Sequence, residues 1–195
     1  EADIRTVVTG TVIENAPIVR VSAKTKTGLE SLISSLQSLL QEKPSRLDLN
    51  RPRLPIDRVF SMSGFGTVVT GTLLDGQLAL GDEVEILPSG QKGRVRGLQT
   101  HKKKEERAIP GSRTAVNISG VEADSIQRGD VLVRPGQYQI TRRVDARVHL
   151  LRDASSSLKH NSEVKLFVGA SETVATLRLL GTEELHPNEE AWIQL

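Results

Sequence analysis

Short runs of alternating apolar and polar residues fill much of the chain from residue 54 onwards. Val84 and Ile86 alternate with Glu83 and Glu85. A second run alternates in the same way: Thr114, Val116 and Ile118 on one side, Ala115, Asn117 and Ser119 on the other. Each run predicts a strand with one buried face. Turn residues separate the runs at Gly76, Gly81–Asp82, Ser89–Gly90, Pro110–Gly111, Gly120 and Gly129–Asp130. We therefore expect a small closed β-barrel over residues 54–137, because closure removes exposed strand edges.

The same period of two returns in residues 138–195. Its apolar positions are Val144, Ala146, Val148 and Leu150, then Val164, Leu166 and Val168, then Ala175, Leu177 and Leu179. These runs predict a second β-barrel. The last residues, 191–195, are apolar with no turn after them. We expect this barrel to be truncated, without its closing strand or strands, and to have an open edge.

Residues 1–44 have a different pattern. An apolar run at 16–21 is of strand length, and Ser22, Ala23 and Lys24 follow it. Apolar residues then recur at three- and four-residue spacing, which predicts an amphipathic helix: Leu29, Leu32, Ile33, Leu36, Leu39 and Leu40. Residues 45–53 are charged, contain proline and have no clear period, so they predict a linker.

Residues 54–76 combine the strongest strand signal with unusual charges. Two β-branched or aromatic runs, 56–60 and 67–72, flank a glycine-containing turn and predict a hairpin. Asp57 and Arg58 are neighbours on its first strand, so we expect them to point to opposite faces. The glycines lack G-x-G-x-x-G spacing and no helix pattern follows, which argues against a dinucleotide site.

Composition excludes several classes of function. No apolar run reaches 18 residues and there is no cysteine, so a membrane helix, a disulfide and a thiolate metal site are excluded. Four scattered histidines and the lack of a G-x-S-x-G motif argue against a hydrolase or a zinc enzyme. The net charge of +2 permits an RNA partner without requiring one. For the charged run 101–107, we favour a solvated loop over a dedicated phosphate contact.

Some twenty consecutive positions in 54–76 resemble the opening of the second domain of translational GTPases related to elongation factor Tu, most closely the selenocysteine-specific branch. The resemblance implies a mainly β fold: the C-terminal remnant of an α/β GTPase domain (1–44), a linker (45–53), a domain II-like barrel (54–137) and a truncated domain III-like barrel (138–195). It also implies that Ser22, Ala23 and Lys24 form a loop that contacts the guanine base.

The same resemblance implies a function for a longer parent protein. That protein would bind GTP and Mg²⁺ in the cytoplasm and deliver selenocysteinyl-tRNA to the ribosome at a recoded UGA codon. It would recognise a messenger-RNA hairpin through C-terminal domains absent here, and it would not contact a membrane. The chain has no phosphate-loop, Asn-Lys-x-Asp or Asp-x-x-Gly motif. We expect a fragment that neither holds GTP and Mg²⁺ nor hydrolyses GTP.

Five residues fall at positions of the family's pocket for the esterified amino acid: Asp57, Arg58, Phe60, Thr70 and Arg113. General elongation factors have Glu-Asp where this chain has Asp57-Arg58, and often asparagine where it has Arg113. A selenol is more acidic than a thiol, whose pKa is about 8.5, so selenocysteine is mostly an anion at neutral pH. Two guanidiniums would therefore favour selenocysteine over the neutral serine.

Other interpretations of these residues remain open. Asp57 and Arg58 are also compatible with surface ion pairs, which contribute little, and Arg113 with a solvent-facing strand position. At the level of the whole chain, the alternatives are a general elongation factor of the same fold and a non-catalytic barrel scaffold that docks proteins, as in initiation-type factors. The Asp57-Arg58 replacement argues against a general elongation factor, and binding that is indifferent to the amino acid on the tRNA would favour the scaffold.

Overall fold

The structure, a computed structural model, describes residues 1–41, 43–44, 46–62, 64 and 66–195. It divides into two compact units, Glu1–Ser45 and Arg46–Leu195. The first unit contains two helices, α1 (Ala2–Val8) and α2 (Leu29–Gln41). The predicted helix is therefore present, and it begins directly after Gly28. Gly28 has a φ of +77°, a conformation that favours glycine. An added Cβ would lie 2.1 Å from the Arg20 carbonyl oxygen, so no side chain fits at this position.

The second unit is built from strands. In chain order they are β1 (Arg53–Met62), β2 (Gly66–Thr72), β3 (Leu78–Ala79), β4 (Glu83–Leu87), β5 (Gln91–Thr100), β6 (Lys103–Glu105), β7 (Arg107–Ala108), β8 (Arg113–Ser119), β9 (Val131–Val133), β10 (Asp145–His149), β11 (Leu158–Lys159), β12 (Ser162–Val168), β13 (Ser171–Leu180), β14 (Glu184–Leu185) and β15 (Glu190–Gln194). A short 3-10 helix, Ala123–Ser125, precedes β9. The fold is mainly β, as the alternating pattern predicted.

Six strands close into a barrel. Their order is β4-β9-β1-β2-β8-β5, and β5 pairs again with β4 to complete the ring. The alternating apolar residues fill the interior, and the largest fully buried members are Leu54, Ile56, Leu73, Leu78, Ile86, Ile118 and Leu132. Closure leaves no open edge in this ring, so the barrel can bury its core from all sides.

Strand β1 lies between β9 and β2 and pairs with one of them on each edge. Residues 53–55 pair with β9, and residues 56–62 pair with β2. Gly71 of β2 lies where these two pairings meet, and it is buried. A Cβ at Gly71 would lie 2.2 Å from the Pro55 carbonyl oxygen and 2.7 Å from Leu54 Cδ2. This glycine therefore has a packing role, which explains its presence without a bound nucleotide.

Strands β10 to β15 form a smaller, antiparallel assembly, whereas β3 pairs with β7. Four of them form a sheet in the order β10-β15-β13-β12, and β11 pairs with β14. Leu177, Leu179, Leu185 and Ile193 are its buried core. Among the described residues this sheet does not close, and β10 and β12 are its edges. Val144 and Val168, which the pattern assigned to a buried face, are exposed because they lie at the ends of edge strands.

Two segments that flank the barrel are joined by hydrogen bonds. Tyr138 donates its hydroxyl to the Arg51 carbonyl oxygen at 2.8 Å, and Gln137 donates to the Asn50 carbonyl oxygen at 3.1 Å. Arg134 donates to the Asn50 side chain at 3.1 Å. The segment that leaves the barrel, 134–138, therefore donates hydrogen bonds to the end of the predicted linker, 50–51, and holds it against the barrel.

The charged run 101–107 is exposed, as expected for a solvated segment, but it is not simply a loop. Residues 103–105 form β6, which pairs with the end of β5. His101 and Lys102 make the turn with φ values of +51° and +65°. Two consecutive positive φ values suit a tight hairpin turn, although asparagine and glycine are its usual residues. The run therefore extends the sheet beyond the barrel.

We predict that Gly71→Ala destabilises the barrel. The added methyl group would overlap the backbone of β1, so we expect the free energy of unfolding to fall by about 2 kcal/mol or more. Denaturant unfolding followed by circular dichroism measures this change. Gly97→Ala is the matched control, since a Cβ there would lie 3.5 Å from Asn117 Cβ, an ordinary contact. Equal losses in the two variants would contradict the packing role of Gly71.

Candidate functional site

A β-bulge places the charged residues of β1. Ile56 pairs with Gly71 and Arg58 pairs with Thr70, so Asp57 is an extra residue with no partner in the register. Residues directly opposite each other on adjacent strands share a face, and Thr70 donates its hydroxyl to Asp57. Asp57 and Arg58 are thus on the same face of the sheet. The expectation that they point to opposite faces is wrong, because it assumed a regular strand.

This shared face is the outside of the barrel. Val59, Val69 and Val116 pair in a row across β1, β2 and β8 and belong to the core. The residues next to them in each strand must therefore point outward. We call the outward group the pocket cluster, and its members are Asp57, Arg58, Phe60, Thr70 and Arg113. All five residues that the resemblance assigned to the aminoacyl pocket are thus brought to one surface.

Asp57 is the centre of the hydrogen bonds in the pocket cluster. Arg113 donates to both carboxylate oxygens, through Nη1 to Oδ2 and through Nη2 to Oδ1 at 3.1 Å. Thr70 Oγ1 donates to Oδ1 at 2.7 Å. A carboxylate on β1 is therefore held by side chains from β2 and β8. This two-point contact between a guanidinium and a carboxylate is the strongest geometry available to such a pair.

The hydrogen bonds change the acidity of both partners. The bond from Arg113 is the main reason that the pKa of Asp57 lies below its usual value, and the bond from Thr70 lowers it further. Partial burial acts in the opposite direction. The same carboxylate raises the pKa of Arg113. The Asp57 side chain is 25% exposed and that of Arg113 is 53% exposed, so solvent screens the pair.

Arg58 and Phe60 complete the pocket cluster without joining this ion pair. Among the residues that the structure describes, Arg58 has no salt bridge and no side-chain hydrogen bond, and it is exposed. Phe60 pairs with Val68 one step along the strands and is 39% exposed. The cluster therefore offers one arginine in an ion pair, one exposed arginine outside that pair and an apolar ring.

A groove of about 350 Å³ continues this face towards β5. Met62, Val68, Gln99, Ala115 and Asn117 are among its lining residues. Ala115 is the register partner of Thr70, and Asn117 is that of Val68, so the groove borders the pocket cluster. Sequence reasoning missed these residues as a site. The outward positions of the alternating run 114–119 were the available signal, but alternation does not distinguish a solvated face from a groove.

The proposed guanine loop is a compact turn in the first unit. The Ser22 amide donates to the Thr27 carbonyl oxygen at 3.0 Å, and the Thr25 amide donates to Ser22 Oγ at 3.2 Å. Ala23 and Lys24 are exposed. The loop is therefore accessible to solvent at residues 23–24. Of the turn in 61–66, Ser63 and Phe65 lie outside the described residues.

Two other kinds of site are absent from the part of the chain that the structure describes. No group of three or more His, Cys, Asp or Glu side chains is placed to hold a metal ion. None of the helices there is long and apolar enough to span a membrane. The pocket cluster and its groove are therefore the candidate site that combines charge, an aromatic ring and a concave surface.

Comparisons with known proteins identify relatives of this chain. The family model for elongation factor Tu domain 2 matches residues 66–133, which include β2 and β8. The selenocysteine-specific elongation factor of Desulfomicrobium baculatum is 43% identical over 99% of this chain, and that of Methanocaldococcus jannaschii is 31% identical over 91%. Elongation factor 1-alpha of Pyrobaculum aerophilum is 42% identical, but over only 48% of the chain.

Solved structures show the same relationship over nearly the whole chain. The translation elongation factor SelB of Methanococcus maripaludis, in its apo form, superposes with a TM-score of 0.80 at 26% identity and covers 99% of this chain. A bacterial selenocysteine-specific elongation factor superposes with a TM-score of 0.77 at 28% identity and covers 98%.

The chain spans only part of these proteins. It covers 30% of the D. baculatum relative, 45% of the M. maripaludis structure and 31% of the bacterial structure. Within that span, the sequence similarity, the fold and the domain 2 match all point to one group of translation factors. The chain therefore belongs to the selenocysteine-specific elongation factors of the elongation factor Tu-like family.

Proposed function

We propose that the pocket cluster receives the amino acid of selenocysteinyl-tRNA. The observation that carries the proposal is the convergence of Asp57, Arg58 and Arg113 on the outer face of one barrel. A selenolate is an anion at neutral pH, whereas the hydroxyl of serine is neutral. The uncompensated Arg58 would attract the selenolate and give no comparable energy to serine.

The magnitude of this attraction is large enough for discrimination. Two unit charges at about 4 Å interact by roughly 4 kcal/mol at an effective dielectric constant near 20, before the cost of desolvation. A net difference of about 1.4 kcal/mol already corresponds to tenfold in affinity. Phe60 would pack against the apolar part of the aminoacyl group. The groove that borders the pocket cluster would then hold the terminal nucleoside, because the ester joins that nucleoside to the amino acid.

The remainder of the proposal concerns the whole protein. Residues 1–44 would be the end of a GTPase domain, 45–53 its linker, and 54–137 and 138–195 the two tRNA-facing barrels. Ser22, Ala23 and Lys24 would contact the guanine base, and the exposure of Ala23 and Lys24 supports such a contact. The chain lacks the motifs that hold phosphates and Mg²⁺, so its residues fit the base and not the rest of GTP.

In this proposal the protein is cytoplasmic and delivers selenocysteinyl-tRNA to the ribosome at a recoded UGA codon. Other domains would bind the messenger-RNA hairpin. The match to elongation factor 1-alpha keeps a general elongation factor as the second candidate. The two candidates differ in one respect that can be measured, namely whether binding depends on the amino acid attached to the tRNA.

The first prediction from this proposal concerns Arg58. We expect a preference for selenocysteinyl-tRNA over seryl-tRNA of at least about a hundredfold, and we expect Arg58→Ala to remove most of it, roughly 2 to 3 kcal/mol. A GTP-dependent competition between the two aminoacyl forms of one tRNA body measures this, in the chain extended to the length of its relatives.

Arg94→Ala is the matched control for Arg58→Ala. Arg94 is an exposed arginine of the same barrel that pairs with Glu83 and not with the pocket cluster. Its removal should leave the preference unchanged. Indifference of the wild-type protein to the amino acid would favour a general elongation factor or a docking scaffold. A preference that survives Arg58→Ala would refute the assignment of the pocket.

The second prediction concerns pH. The pKa of Asp57 is lowered in the folded state, so its ion pair stabilises the fold above the ordinary aspartate pKa of about 3.9. That stabilisation should be lost as the pH falls through the lowered pKa. Because the pair is partly exposed, we expect Asp57→Asn to cost between a few tenths and about 1 kcal/mol at pH 7.

Urea unfolding of wild type and Asp57→Asn, measured from pH 7 down to about pH 2.5, tests this. The two stabilities should differ at neutral pH and converge once Asp57 of the wild type is protonated. A difference that does not depend on pH would mean that the substitution acts through packing and not through the charge.

A further inference from the structure

Met62 is the last residue of β1, and it lines the groove beside the pocket cluster. It is 46% exposed. Its partner across the strand pair is Gly66, which has no side chain to cover it. The pairing of β1 with β9 covers residues 53–55, at the other end of the strand. Met62 is therefore accessible to small reagents in solvent.

Apolar side chains form one part of the lining of this groove. They belong to Met62, Val68, Leu80, Leu98 and Ala115. Val68 and Leu98 are buried, so this part of the wall rests on the barrel core. An apolar wall suits the flat face of a ring, and a flexible thioether packs well in it. A polar group in the same place would lose hydrogen bonds to water when a ligand covers it.

Met62 is also the side chain of this sequence that a peroxide oxidises most readily, because the sequence has a single methionine and no cysteine. In the reaction with hydrogen peroxide, the sulfur lone pair forms a new S–O bond, the O–O bond breaks, and the peroxide is reduced to water. The product is methionine sulfoxide, which sulfoxide reductases return to methionine. The step replaces an apolar group by a polar one and leaves the net charge unchanged.

We propose that Met62 is a reversible oxidation site, and that its sulfoxide lowers the affinity of the groove for the terminal nucleoside of the tRNA. The proposal rests on the proposed function, which places that nucleoside in the groove, and it adds a modification of the same site. The nucleoside is common to all aminoacyl forms, whereas the pocket cluster receives the amino acid. Oxidation should therefore weaken the binding of all aminoacyl forms together and leave the preference among them unchanged.

Treatment with hydrogen peroxide tests the proposal in the chain extended to the length of its relatives. Catalase removes the peroxide before tRNA is added, so that none of it reaches the aminoacyl group. Peptide mass spectrometry should find one added oxygen on Met62. We expect the affinities for selenocysteinyl-tRNA and seryl-tRNA, measured with GTP, to fall by about tenfold each. Methionine sulfoxide reductase should restore both affinities.

Met62→Leu separates this site from other oxidisable groups of the extended chain. Leucine has a similar volume and no sulfur, so the affinities of this variant before and after treatment should agree within about twofold. Met62→Gln places a permanent polar group at the same point. It should bind both aminoacyl forms more weakly than the wild type before any treatment, and peroxide should cause no further loss.

Leu180→Met in the Met62→Leu background is the matched control. Leu180 lies on β13, outside the groove, and is 47% exposed, so its exposure matches that of Met62. Peroxide should oxidise the introduced side chain without changing either affinity. If peroxide modifies this side chain but leaves Met62 of the wild type unmodified, Met62 is shielded and the proposal is overturned.

The outcomes distinguish the oxidation site from the proposed function. A wild-type protein that has no preference between aminoacyl forms, but loses affinity for both on oxidation, refutes the assignment to selenocysteine and supports the role of Met62. A wild-type protein that keeps both its preference and its affinities after Met62 is oxidised overturns the role of Met62 alone. Equal losses in treated wild type and treated Met62→Leu would locate the damage elsewhere, and would also overturn it.

Discussion

The pairing of β1 with two neighbours is the constraint on which the barrel and its outer face depend. Its first residues, 53–55, pair with β9, and residues 56–62 pair with β2. β1 therefore has a neighbour on each of its two edges, and Gly71 of β2 allows the close approach of the β1 and β2 backbones. The bulge at Asp57 lies at the same point. A bulge bends a strand and increases its twist, so it helps β1 to follow the closing barrel. The closure of the fold and the placement of a charged residue thus have one local origin.

The chemistry of the outer face follows from that bulge. Without the extra residue, strict alternation would turn Asp57 away from Arg58. With it, a carboxylate and a guanidinium from neighbouring positions share a face with Arg113 of β8 and Thr70 of β2. The result is a charge pattern that composition does not predict. The net charge of the whole chain is only +2, yet its local distribution gives this face one arginine paired with Asp57 and one exposed arginine outside that pair.

Much of the fold was predictable because its determinants are local. The period of two predicted the strands of the barrel, and the spacing of three and four predicted α2. The β5–β6 hairpin was missed, because its turn residues, His101 and Lys102, are not the residues that usually signal positive φ. The bulge was missed for a related reason. A shift of one residue in register depends on pairing with β2 and β9, and no pattern within β1 records it.

The candidate site was predictable in its residues and not in its electrostatics. The resemblance assigned five positions to a pocket, and all five are on one face. It suggested two arginines acting together on an anion, and the geometry places both arginines on one face, with Arg113 paired to Asp57. Arg113 is paired with Asp57. A partly buried charge that already has a partner gains less free energy from a ligand than a charge without a partner. Discrimination between an anionic and a neutral side chain needs a difference in energy and not the largest possible attraction. In the proposed pocket, an exposed arginine beside an arginine that is paired with Asp57 would meet that requirement, since it would favour the anion while the paired arginine retains N–H donors.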